Sequence, residues 1–187
     1  MKTTISLSTP AELETETLVA IVLDHADASK EKEKDKKPEL KIATSDAAVQ
    51  SVAADLLSSG ELVGKPFETN LLHKPAGLKA KRLLLISGGK AKKFSSYDLR
   101  RMAGVAVRAL KSRGIRSFAL VAPPSIPAEE AVRAIVEGSH VGNFEPDYYR
   151  SDRKDQKIDA LTVIASGDKS ALEKAAKEAQ VIGESQN

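Results

Sequence analysis

The chain has no cysteine and no tryptophan, and only four Phe and three Tyr among its 187 residues. Without thiols there is no disulfide, no Cys-ligated zinc site and no cysteine nucleophile, which fits a reducing compartment. With so few rings, the core is built from Leu, Val, Ile and Ala, within a hydrophobic content of 41%. A chain of this length makes one domain, or one domain with an appendage, and buries roughly 70% of its unfolded surface. No apolar run approaches the about 20 residues that span a bilayer. The opening MKTTISLSTP carries no signal-type apolar region. A cytoplasmic location with no membrane partner is the expectation.

Acidic residues are also scarce in one stretch. The net charge is only +3, yet between Lys74 and Arg116 there are thirteen Lys or Arg and a single acid, Asp98. A stripe of that density points to an acidic partner or a nucleic acid, or else to a solvated face. Its candidate contacts are Lys90, Lys92, Lys93, Arg100 and Arg101. Only Phe94 and Tyr97 are interleaved with them, so base stacking is poorly provided for.

What is present reads as alternating strands and helices. Thr3 to Leu7 alternates as an edge strand, and TETLVAIVLDH (15–25) holds a six-residue apolar run suited to a strand buried on both faces. The Lys-rich stretch 28–38, interleaved with acids, reads as a solvated loop. Residues 44–62 have helical spacing, with Thr44 or Ser45 as cap and Gly60 at the end. Strands follow at 68–73 and 81–86 around a turn at Pro75-Ala76-Gly77. Ser95 and Asp98 form a capping box opening a helix whose buried face is Leu99, Met102, Ala103, Ala106 and Leu110, stopped by Gly114. A strand at 117–122 and a helix from Pro127 to about His140 come next, with Glu129 and Glu130 favoured by its dipole. After a polar connection, 158–166 is a strand. Asp168 or Ser170 then caps a last helix with Leu172, Ala175, Ala176, Ala179 and Ile182 on one side. The order argues an α/β fold with helices covering a mixed sheet.

Motifs with chemistry are few. LLLISGGKAKKFSS (83–96) runs from a strand into Gly88-Gly89-Lys90, but it lacks the P-loop spacing and the G-x-G-x-x-G fingerprint. The glycines read as a strand-to-helix turn. His25, His73 and His140 stand in separate elements without paired metal spacing, and no G-x-S-x-G elbow occurs.

One stretch carries a resemblance. In AIVEGSHVGNFEPDYYRSDRKDQKIDALTVIA, residues Glu137, Gly138, Ser139, Gly142 and Phe144 fit an E-G-small-x-x-G-x-[FY] helix end. Asp147, Tyr149, Arg150 and Ser151 fit a D-x-Y-[KR]-S connection. This resembles the close of the N-terminal domain in the leucyl (cytosol) aminopeptidase family, and the upstream order from about residue 15 is similar as well. The resemblance implies a three-layer, macro-domain-like α/β domain over 1–166 and the start of an interdomain helix over 167–187. The catalytic domain would then lie outside this chain. It also implies that the two divalent metals, Zn or Mn, are held by a Lys, several Asp and a Glu of that missing domain, including an N-T-D-A-E-G-R motif absent here. No catalytic, cofactor-binding or metal-binding residue carries over. The implied partners are the chain's own C-terminal catalytic domain and five further subunits of a homo-hexamer. Two other readings stand beside this one: nucleic-acid binding through the Lys74–Arg116 stripe, and nucleotide or ADP-ribose binding suggested by the macro-like fold alone. The Ala-rich face of the last helix is expected to await a missing neighbour.

Overall fold

A computed structural model of the chain describes residues 1–26, 38–144 and 156–186. In chain order the elements are β1 (Lys2–Ser6), β2 (Leu18–Asp24), β3 (Leu40–Ile42), α1 (Ala47–Ser59), β4 (Thr69–His73), β5 (Arg82–Lys90), α2 (Ser96–Lys111), β6 (Ser117–Val121), α3 (Ala128–Gly142), β7 (Ala160–Ile164) and α4 (Lys169–Ser185). All of the solvated loop read at 28–38 except Pro38, and most of the polar connection after α3, lie outside the described residues.

The six-residue apolar run becomes β2, and all seven of its residues are buried. Such a strand needs cover on both faces, and alternation supplies it. Leu18, Ala20 and Val22 point to one core, which contains Val49, Ala53 and Leu56 of α1. Val19, Ile21 and Leu23 point to the other, beneath α2, α3 and α4. The result is three layers, with three helices on one face of the sheet and one on the other.

The sheet runs β1-β7-β6-β2-β5-β4, with β3 pairing β2 off this path. Pairs within β1 to β5 are parallel, while β4 joins β5 and β3 joins β2 antiparallel. The mixed sheet expected from the alternation of elements is therefore present, and β1 occupies one edge. Three-residue β3 was not anticipated. It is too short to show alternation; it pairs with β2 and sets Ile42 in the core with α1.

Three local expectations are corrected. The cap of α1 is neither Thr44 nor Ser45 but Asp46, whose carboxylate accepts from the N–H groups of Ala48 and Val49. Its other oxygen accepts from Ala11 N–H at 3.0 Å, a tertiary bond that settles the choice among three adjacent capping residues. Thr44 instead accepts from Asp46 N–H at 3.2 Å.

Gly88-Gly89-Lys90 is not a turn but the end of β5. Val22 to Asp24 of β2 faces Ser87 to Lys90 of β5, so β5 carries one extra residue, a bulge. Gly89 takes φ +78°, and a Cβ on Gly88 would sit 2.7 Å from the Phe94 ring and 2.8 Å from Leu23. Glycine is required here by closeness and backbone sign, within the strand.

The third correction concerns α4. Its Leu172, Ala175, Ala176 and Ala179 are buried in the same core as α2 and α3, so that face is covered within this chain. Ile182 is 46% exposed and departs from the buried side. Several other readings agree with the structure. The Ser95–Asp98 capping box forms, the five residues named on α2's apolar face are all buried, and Gly60 and Gly114 adopt positive φ beyond their helices.

Candidate binding groove between α2 and α3

The two helices meet at glycines. A Cβ on Gly138 would lie 2.0 Å from the carbonyl oxygen of Arg100, and one on Gly142 would lie 2.8 Å from Cα of Gly104. Backbones therefore touch at this crossing, and the larger side chains on either side are pushed apart. Above the crossing they leave a groove of about 620 Å³, lined by Phe67, Arg100, Arg101, Gly104, Val105, Arg108, Lys111, Gly138, Val141, Gly142 and Phe144. This gives a physical role to the glycines of the E-G-small-x-x-G pattern, and Glu137 has one too. Its carboxylate pairs with Arg100 at 2.9 Å, while Gln186 of the segment after α4 accepts from Arg100 at 2.6 Å.

The remaining cations are placed differently. The guanidinium of Arg101 lies 4.4 Å from the centroid of Phe67 and 5.8 Å from that of Tyr97, within the range of cation–π attraction. Phe67 itself holds φ +70°. Arg108 Nε donates to the carbonyl of Gly104 at 3.4 Å, a weak bond. Lys111 Nζ donates to the carbonyl of Phe144 at 3.0 Å.

Of the five candidate contacts read from the sequence, only Arg100 and Arg101 line this groove. Lys90 lies at the end of β5, where its Nζ is 2.8 Å from Asp24 Oδ2, and the side chain of Asp24 is 7% exposed. The other oxygen of Asp24 accepts from Ala26 and Glu39 N–H at 2.9 and 3.0 Å. Burial alone would raise the Asp24 pKa, but Lys90 and these two N–H groups outweigh it and hold the carboxyl below its ordinary value. Lys92 and Lys93 sit in a short 3-10 turn, Ala91–Lys93, after β5. Arg108 and Lys111 were inside the basic stripe but were not singled out. Their signal was helical spacing: Arg101, Val105 and Arg108 fall on one stripe of α2.

Above the C-terminal ends of β1, β6 and β7, where open α/β sheets take ligands, lies a crevice of about 710 Å³. Its polar lining is mostly Ser and Thr, and no Lys or Arg lines it among the described residues, so a pyrophosphate would meet no cation there. Of the histidines, His25 and His73 are exposed. His140 is buried, 3.2 Å from the hydroxyl of Thr3 and 3.6 Å from Glu184. Among the described residues no group of three His, Asp or Glu stands close enough to hold a metal ion. No helix among the described residues is long and apolar enough to cross a membrane.

Fold and groove together define a three-layer α/β domain with a cationic cleft on its three-helix face. Comparison with known proteins agrees on its kind. A model of the cytosol aminopeptidase family, N-terminal domain, matches residues 19–153. A probable cytosol aminopeptidase of Koribacter versatilis is 45% identical, and the match takes in 100% of this chain and 39% of that protein. A probable cytosol aminopeptidase of Acidobacterium capsulatum is 39% identical, over 100% of this chain and 38% of that protein. Among solved structures, a tomato leucine aminopeptidase mutant superposes with a TM-score of 0.73 at 19% identity, covering 98% of this chain and 36% of that one; this shows a shared fold. The chain belongs to the cytosol aminopeptidase family, as its N-terminal domain. It spans 39% and 38% of the lengths of the two curated relatives.

Proposed function

We propose that this chain is the non-catalytic N-terminal domain of a larger cytosolic aminopeptidase, where it contributes to subunit assembly and to substrate access. The observation that supports this most is coverage: a 45%-identical match that takes in all of this chain occupies only 39% of a probable cytosol aminopeptidase. Removal of N-terminal amino acids from peptides is then the work of the larger protein's C-terminal domain. That domain would hold the two divalent ions, Zn or Mn, and α4 would begin the connection to it. In this reading the chain's own role is to fold, present surfaces and position neighbours. Six such subunits assemble in the cytoplasm.

The test uses the longer protein encoded around these residues, made with and without residues 1–187. With the domain, light scattering gives a hexamer. Without it, the assembly is altered, or KM for longer peptides shifts while metal-dependent cleavage of a leucyl amide survives. If removal changes neither assembly nor KM, the reading fails.

A further inference from the structure

We propose that the groove between α2 and α3 is a docking site for a short acidic segment of a partner protein, one in which carboxylates alternate with apolar side chains. Charge decides the class of occupant. Among the described residues no carboxylate lines the groove, while Arg100, Arg101, Arg108 and Lys111 do. Arg100 is matched by Glu137 and Lys111 has partners of its own, so the weight falls on Arg101 and Arg108. Arg101 and Arg108 both line the cleft, two helical turns apart, with Val105 between them.

Shape decides the rest. The floor is apolar, made by Val105 and Val141 with the contact glycines, and the aromatic rings of Phe67 and Phe144 also line it. From Arg101 to Lys111 the helix rises about 15 Å, the reach of four or five residues of extended chain at about 3.3 Å each. A segment of that length can set alternate carboxylates on the arginines and alternate apolar groups on the floor. The site is also pre-set. Arg101 is held over Phe67, and Phe67 keeps a left-handed backbone that a bulky residue rarely adopts. Conformations of this kind persist only where their surroundings over-determine them, and they gather at ligand clamps.

A nucleic acid is served less well. One face of the Phe67 ring is already covered by Arg101, which removes a stacking platform. A phosphate backbone following the groove would also lie on an apolar floor.

The test is fluorescence anisotropy of the 187-residue chain with three probes: a short fluorescein-labelled peptide alternating Glu and Leu, its Lys and Leu counterpart, and a labelled DNA duplex. The acidic peptide is expected to bind saturably at low salt and to weaken as salt rises. The double substitution Arg101→Glu with Arg108→Glu is expected to raise its Kd by roughly tenfold or more, and the Lys peptide is expected not to bind. Arg108→Glu alone, at an exposed side chain, is expected to raise the Kd several-fold and keeps the test valid if the double variant does not fold. Three results would overturn the proposal: no saturable binding of the acidic peptide at low salt, binding indifferent to the substitutions, or a tighter complex with DNA that the same substitutions abolish.

Discussion

Gly138 has no room for one more carbon. Its missing Cβ would stand 2.0 Å from backbone oxygen, which cannot move aside as a side chain can. Gly138→Ala is therefore expected to force α2 and α3 apart and to lower stability by about 1–3 kcal/mol, read from the midpoint of urea unfolding. Gly104→Ala meets its nearest atom at 3.4 Å and is expected to cost clearly less. The residue pattern Glu137, Gly138, Gly142 was legible as a family signature, but its cause was not. That cause is a contact between helices whose separation in sequence hides which glycine faces which backbone.

Among the groups that shape the acid response, beside Asp24, two act in separate pH ranges. Burial pushes the pKa of His140 below its ordinary 6.5, and the positive N-terminus of Met1 adds to this while Glu184 opposes it. The folded chain thus refuses a proton that the unfolded chain accepts, so stability declines as pH falls from about 6.5 downward. Glu16 behaves differently. Burial would raise its pKa, but the N–H groups of Arg116 and Ser117, with the Ser117 hydroxyl, bring it below its ordinary 4.5. Its contribution is present above that value and is lost as pH falls through the lower, folded one. A two-stage loss of urea stability is expected between about pH 7 and 3. His140→Gln should remove the upper stage and Glu16→Gln should weaken the lower one. A single-stage profile in the unsubstituted chain would contradict this assignment.

At the scale of elements, helical periodicity was the most readable signal and tertiary choice the least. The buried face of α2 follows from its spacing alone, because Leu99, Met102, Ala103, Ala106 and Leu110 repeat with the turn. The start of α1 does not, since Thr44, Ser45 and Asp46 are all capping types and a bond to Ala11 selects the last. Asp46→Ala is expected to cost about 0.5–2 kcal/mol, with Thr44→Val and Ser45→Ala costing less; thermal unfolding of the three variants ranks them. The glycines ending β5 misled because a glycine pair usually marks a turn, whereas here a bulge uses them to bring Lys90 onto Asp24. The α2–α3 groove was half visible. Its cations stood in the basic stripe, but which ones share a cleft depended on where α3 crosses.

For the whole molecule, the sheet with helices on both faces was legible from the alternation of strands and helices, and the family from one signature stretch. How α4 packs was not. Its small apolar face looked too weak to be satisfied within the chain, yet it lies in the common core with Leu172 fully enclosed. Removing α4 is accordingly expected to uncover that core and give a protein that binds hydrophobic dyes and aggregates.

The central proposal is that this polypeptide, which folds around a core of its own, leaves peptide hydrolysis to another part of a longer protein. Hydrolysis of leucyl p-nitroanilide by the folded 187-residue chain, with Mn²⁺ or Zn²⁺ added, tests it most directly. The account predicts a rate no greater than that of the metal salt alone at every protein concentration. A rate that scales with the chain and disappears on chelation would contradict it.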